Sequence, residues 1–302
     1  MMKKLYFLLF SVFLFNCTAD HRDQQQINEL ISRIENGLQS NLRVQYGDSV
    51  HIKYFNIEER MKELNIPGVS IAVLYEGEIQ WAKGYGFANV AEQQKVDSNT
   101  LFQAGSISKP IAATEVFQLF EENKIDLDTN INNYLKRWNV SDNEFTKDEK
   151  VTPRRLLNHS AGLTVRGFPG YYVNDTIPDL LGVLNGKGNT GPIFVYREPG
   201  ERVGYSGGGY TVLQLMIEDV TQGDFSEIMQ KEVLNPLGMN LSTYKNPLPE
   251  KYHQNAASGY NSEGLEVSGK WHVYPEMAAA GLWSTPSELL LWAKEIQTIV
   301  QT

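Results

Sequence analysis

Cysteine is almost missing from this chain: Cys17 is the only one in 302 residues. A single thiol excludes an intramolecular disulfide framework and any cysteine-based zinc centre. Histidine is scarce too, and the five present are scattered without ligand spacing, so no metal is expected. No basic cluster exists. The net charge is −9, which leaves nucleic acid without an electrostatic footprint and excludes it as a partner. Internal repeats, low-complexity tracts and a second long apolar run are also lacking.

The one long apolar run stands at the N-terminus. Lys3-Lys4 precede Leu5 to Phe15, a positive region followed by an apolar stretch too short for a membrane span. Leu14-Phe15-Asn16-Cys17 resembles a bacterial lipoprotein signal, in which the cysteine is lipidated after cleavage; a plain secretory peptide cleaved nearby is the other reading. Residues 1–17 are therefore expected to be a signal peptide. The mature chain is expected in the periplasm or cell envelope, touching membrane only through a lipid on Cys17.

Residues 18–55 read as an N-terminal tether followed by a helix, with Ile27, Leu30, Ile31, Ile34 and Leu38 on one face. A short helix is expected over Ile57 to Leu64. Val69 to Tyr75 and Glu78 to Tyr85 flank Glu76-Gly77, a hairpin signal. Further on, Val151 to Leu163 reads as a helix with Pro153 near its first position and a stop at Gly162. Residues 164–204 read as loops that could line a cleft, Thr211 to Val220 as an apolar helix, and Thr285-Pro-Ser-Glu288 as a capping box. The whole suggests an α+β protein, a helical subdomain packed on a sheet.

Gly105-Ser106-Ile107-Ser108-Lys109-Pro110 opens another apolar helix. Residues three apart share a helix face, so Ser106 and Lys109 can enter one cleft. A serine needs a base to become a nucleophile, and a nearby lysine can serve. The helix N-terminus supplies N–H groups where an oxyanion would develop. Ile107, Ile111, Ala112, Val116, Leu119 and Phe120 are the expected buried face. A second element, Gly204-Tyr-Ser-Gly-Gly-Gly-Tyr210, precedes the Thr211 helix and offers Tyr205 as a proton relay.

Together these stretches resemble the serine β-lactamase and penicillin-binding-protein superfamily, in its branch of class C β-lactamases, D-alanyl-D-alanine carboxypeptidases and related esterases. Phe102 to Pro110, Leu156 to Leu163, Tyr205-Ser-Gly207 and Ala280 to Thr285 occur in the family's order. The resemblance implies a β-lactamase/transpeptidase-like α+β fold over residues 56–302, an antiparallel sheet flanked by helices. It implies Ser106 as the acylated nucleophile, Lys109 as its base and Tyr205 as the proton shuttle, with the Ser106 N–H in the oxyanion hole. His159 is expected to be structural. No organic cofactor is implied; the implied substrate is a small molecule or a peptidoglycan-like D-amino-acid peptide, handled by a monomer.

Two departures are visible. Gly207 replaces the asparagine usual in the second motif, which leans away from β-lactam hydrolysis and toward an ester or peptide. The family's third motif, Lys-Thr-Gly or His-x-Gly, is missing before Thr302. The domain is therefore expected to lack its C-terminal sheet strands, leaving the 69–85 hairpin with an open edge and an uncovered apolar face. Two rivals stand beside the hydrolase. One is a non-enzymatic, ligand-binding relative of the same fold; the other uses Ser206 as the nucleophile of an α/β-hydrolase elbow, from the match of Gly204 to Gly208 to G-x-S-x-G.

Overall fold

The computed structural model describes residues 19–46 and 49–301. The expected signal peptide and Cys17 lie outside the described residues. The chain divides into two compact units, Met1–Arg60 and Met61–Thr302. Among the described residues no helix is long and apolar enough to cross a membrane.

In the first unit, helix α1 (Ala19–Glu35) takes in the stretch expected to be a tether. Residues 19–26 hold no glycine, proline or β-branched residue, so nothing local opposes helix there. Strands β1 (Leu38–Tyr46) and β2 (Ser49–Phe55) then form an antiparallel pair. Sequence reasoning missed this pair, although Leu42, Val44, Tyr46, Val50, Ile52 and Tyr54 alternate with the two-residue period of a strand. Helix α2 (Ile57–Glu63) follows where it was expected.

In the second unit, β3 (Gly68–Tyr75) and β4 (Glu78–Asn89) form the expected hairpin, and β5 (Gln94–Lys95) adds a third antiparallel strand beyond β4. Glu76 and Gly77 have φ of 50° and 76°, both positive, as a tight two-residue hairpin turn requires. Then come β6 (Phe102–Gln103), a 3₁₀ turn (Gly105–Ile107) and α3 (Ser108–Glu121). After these follow α4 (Pro153–Leu157), β7 (Tyr171–Tyr172), α5 (Leu180–Leu184), α6 (Gly207–Thr221), α7 (Phe225–Ile228) and a π-helical turn (Met229–Leu234). Last are β8 (His272–Val273), α8 (Met277–Ala280), β9 (Trp283–Ser284) and α9 (Pro286–Gln301). Every pairing between named strands is antiparallel.

Helix α6 is the centre of the core. Val212, Leu213, Leu215, Met216 and Ile217 are all fully buried, so it is apolar all round, as a helix enclosed by others must be. It begins four residues before Thr211, the expected start. Gly207, Gly208 and Gly209 look like loop residues in sequence, yet Gly208 has the Thr164 carbonyl oxygen 2.8 Å from where a Cβ would stand. Helix α3 buries Ile111, Ala112, Val116 and Leu119 against this core, whereas Ile107 and Phe120, expected on the same face, are exposed.

Two further expectations are corrected. Helix α4 ends at Leu157 rather than near Gly162, because His159 turns to φ 62° and Ser160 folds back onto the Asn158 side chain through N–H and Oγ. Helix α9 packs along β3 and β4, with Lys294 Nζ 2.9 Å from Glu78 Oε1. The hairpin face expected to be bare thus carries a helix, while β3 remains an edge of its sheet among the described residues.

Candidate active site

The segment carrying Ser106 is clamped from both sides. β6 pairs with β9 through Phe102↔Ser284 and Gln103↔Trp283. The Ala104 N–H donates to Leu282 O at 2.8 Å, and the Leu282 N–H donates to Ser108 Oγ at 2.9 Å. The 280–285 stretch therefore holds the serine turn by backbone bonds, which no local sequence signal reveals. Gly105, at φ 52°, takes the left-handed turn that starts this segment, a conformation costly for any residue with a Cβ. Pro110 fits the first turn of α3, where its missing N–H costs nothing.

At the N-terminal end of α3 the three expected residues converge. Lys109 Nζ lies 3.1 Å from Ser106 Oγ and the Tyr205 hydroxyl 2.9 Å from it. Lys109 is 5% exposed; its ammonium also donates to Ala279 O at 2.6 Å and sits 5.1 Å from the centre of the Tyr205 ring. Tyr205, 40% exposed, opens the site to solvent. Burial pushes its phenol up, but the Lys109 ammonium, the Ser106 hydroxyl and the Arg166 charge outweigh that and leave its pKa below the ordinary tyrosine value. A phenol so placed can give up and recover a proton beside the serine.

His159 supports the tyrosine. Its ring centre is 4.4 Å from that of Tyr205, and its Nδ1 accepts the Ser206 N–H at 3.3 Å. Burial, and then the Lys109 charge, hold its pKa below the ordinary histidine value, so at neutral pH it is an uncharged wedge. The family-like Leu156–Leu163 stretch thus contributes a ring that orients Tyr205 and makes no bond to Ser106.

Ser206 is accounted for elsewhere. It is 4% exposed, and its Oγ accepts the Gly209 N–H at 3.0 Å as the N-cap of α6 while donating to Thr164 O at 2.8 Å. A hydroxyl spent on a helix cap and a loop carbonyl is not poised for attack. The α/β-hydrolase reading built on Ser206 is corrected accordingly.

Gly207 is crowded. A Cβ there would stand 3.1 Å from both Arg166 O and a Phe168 ring carbon, and the Gly207 N–H donates to Arg166 O at 3.0 Å. The 164–168 loop lies against the start of α6, in space that a longer side chain at 207 would need. Val165, at φ 61°, is a β-branched residue in the left-handed region, a strained turn that presents Arg166 near Tyr205. Sequence reasoning missed Arg166; nothing in the sequence sets it apart from Lys187, Arg197 and Arg202, the other cations in the loops assigned to the cleft.

A serine oxygen between an ammonium and a phenol, at a helix N-terminus on an antiparallel α+β frame, is an arrangement that can support acyl transfer. A family model described as Beta-lactamase matches residues 56–301, and the chain belongs to that family. It is 25% identical over 244 residues to Protein flp of Staphylococcus aureus (strain MW2), covering 79% of this chain and 45% of that protein. It is 28% identical over 248 residues to the unguisins hydrolase ungD of Aspergillus violaceofuscus (strain CBS 115571), covering 74% and 41%. The chain thus spans less than half the length of these curated relatives. Among solved structures, the octameric penicillin-binding protein homologue from Pyrococcus abyssi aligns with a TM-score of 0.63 at 27% identity, over 79% of this chain and 54% of that one. A class C beta-lactamase aligns with a TM-score of 0.62 at 22% identity, over 92% and 65%, a likeness of fold alone.

Proposed function

We propose that the chain is a serine hydrolase that works through an acyl-enzyme on Ser106. The observation that carries this reading is the pair of short contacts on Ser106 Oγ, from Lys109 Nζ at 3.1 Å and from the Tyr205 hydroxyl at 2.9 Å. In the acylation step Ser106 Oγ bonds to the substrate carbonyl carbon and its proton passes to Lys109 or Tyr205, whichever is then deprotonated. The developing oxyanion faces the N–H groups at the start of the helix, Ser106 among them. Tyr205 then hands a proton to the leaving group as its bond to carbon breaks. In the second half a water adds to the ester, loses its proton to the same pair, and Ser106 leaves reprotonated.

The substrate classes that suit this nucleophile are an ester, a β-lactam and a D-amino-acid peptide. Gly207 offers no side-chain amide to hold an acyl-amide group, and the neighbouring loop fills that place, which favours an ester or peptide over β-lactam turnover. The alternative, binding without turnover on the same fold, draws on the same glycine. We further propose export, with a lipid on Cys17, and action as a single chain, since Ser106, Lys109 and Tyr205 come from one.

Intact-protein mass spectrometry after incubation with a fluorophosphonate, and separately with a fluorescent penicillin, tests the proposal. A mass adduct that Ser106→Ala abolishes and Ser206→Ala retains supports it. A folded protein that takes up neither reagent would make the chain a binding relative without a working nucleophile.

A further inference from the structure

On the far half of α3 lies a second concave site. Glu115 is nine residues beyond Ser106, roughly 13 Å along the helix at 1.5 Å per residue. A cavity of about 720 Å³ opens there between α3 and the end of α6, α7 and the π-helical turn. Its walls hold six carboxylates, on Glu115, Glu121, Glu122, Asp224, Glu227 and Glu232, against two lysines, Lys124 and Lys231. Both lysines are already engaged, Lys124 with Glu122 at 2.6 Å and Lys231 with Glu232 at 2.5 Å. Glu227 pairs with Lys245 at 3.3 Å, and Asp224 caps α7.

Glu115 is different. It is 2% exposed, and its Oε2 is enclosed without a hydrogen-bond partner. Gln118, three residues on and also lining the cavity, has its Oε1 in the same condition while its Nε2 donates to Glu232 O at 3.2 Å. Two orphan acceptors side by side on one helix face are costly unless donors meet them. What would satisfy both is a positively charged group carrying several N–H donors. A divalent metal does not fit, since among the described residues no group of three carboxylates or imidazoles is arranged to hold one. We propose that this cavity binds a small organic cation with a primary ammonium group, seated on Glu115 and Gln118.

Burial lifts the Glu115 carboxyl to about 7, the Glu232 and Glu122 charges add to the rise, and Lys124 and Lys231 oppose it. From the other walls, Asp224 and Glu227 add further negative charge around the cavity. A cation seated against Glu115 favours its ionised form, so binding tightens as pH rises through 7.

Calorimetric titration of the full chain with 1,4-diaminobutane tests the site, with tetramethylammonium and Mg²⁺ as cations lacking N–H donors. Saturable binding of the diamine is expected, about tenfold tighter at pH 8 than at pH 6, because the ionised fraction of a group titrating near 7 rises from about a tenth to nine-tenths. E115Q, shown by thermal melting to be folded, is expected to weaken binding at pH 8 at least tenfold and to flatten the pH dependence. Should E115Q not fold, the pH comparison and the tetramethylammonium control on the unmodified protein decide alone. No saturable binding, equal affinity at both pH values, or tetramethylammonium binding as tightly as the diamine overturns the proposal.

Discussion

Lys109 Nζ stands closer to the carbonyl oxygen of Ala279, at 2.6 Å, than to Ser106 Oγ, at 3.1 Å. The carbonyl belongs to α8, 170 residues away in sequence, and it fixes where the ammonium points. A flexible four-carbon side chain held at both ends loses little further freedom when substrate arrives. Lys109→Met keeps the packing and removes the proton carrier. The expected outcome is a loss of roughly 10²–10⁴-fold in the rate of fluorophosphonate labelling, read by stopped-time mass spectrometry, with a melting curve to show that the fold survives.

The two serines one motif apart are expected to separate cleanly. Ser206→Ala removes the N-cap of α6 and its bond to Thr164 O, so it should cost about 1 kcal/mol of stability and leave labelling in place. Ser106→Ala should do the reverse. Denaturant midpoints and adduct masses on the two variants read both effects.

The labelling rate should rise with pH along a limb set by Tyr205. Its phenol is held below the ordinary tyrosine value because the Lys109, Ser106 and Arg166 interactions outweigh the upward push of burial. Lower pKa means more phenolate available as a base at neutral pH. Arg166→Gln withdraws a cation that stabilises the phenolate, so the limb should move to higher pH and the rate at pH 7 should fall, by roughly twofold for an exposed charge. Tyr205→Phe should remove the limb.

Glu276 ties stability to pH. It is 0% exposed, and burial lifts it to about 7 against the pull of its own backbone N–H, which lowers it. Between 4.5 and 7 the folded state keeps a proton that the unfolded state releases, so stability should fall as pH rises through that window and level off above it. The loss is at most about 3 kcal/mol for such a shift. Thermal melts from pH 5 to 8 should show the decline, and Glu276→Gln, neutral throughout, should lessen it, the remainder belonging to Glu115, which burial also lifts to about 7. A Glu276→Gln profile as steep as that of the parent would assign the decline to other groups.

Gly207→Asn would restore the family's amide at a place where the loop leaves little room. With Arg166 O and the Phe168 ring each 3.1 Å from the Cβ position, the 164–168 segment must yield, at a cost of about 1–3 kcal/mol, as for other overpacked sites. A melting temperature unchanged from the parent would mean that the loop moves aside freely.

Much of the frame was legible in the sequence because its signals are local. The hairpin announced itself through β-rich runs around Glu76-Gly77, and α3 through apolar spacing behind Ser106. The β1–β2 pair was equally legible and was missed. Boundaries failed where a distant partner set them. Helix α6 starts early because Ser206 caps it, and the 164–168 loop passes close to Gly207 and Gly208. The Thr285–Glu288 capping box was half realised. Thr285 Oγ1 does accept the Glu288 N–H at 3.2 Å, but the Glu288 carboxylate goes to the Leu241 and Ser242 N–H groups, at 2.8 Å each, instead of back to its own helix.

The chemistry available at the site is written in local stretches of the chain: a hydroxyl and an amine three residues apart on a helix start, and a tyrosine before a capped helix. At that spacing a helical start puts the first two groups on one face. Packing of distant segments is what brings Tyr205 to Ser106 across 99 residues, sets Ala279 O against the lysine, and makes Ser206 a cap rather than a nucleophile. Those outcomes depend on which segments the core brings together. Burial and hydrogen-bond demand are settled by the whole packed chain and leave no periodic trace in any one stretch of it.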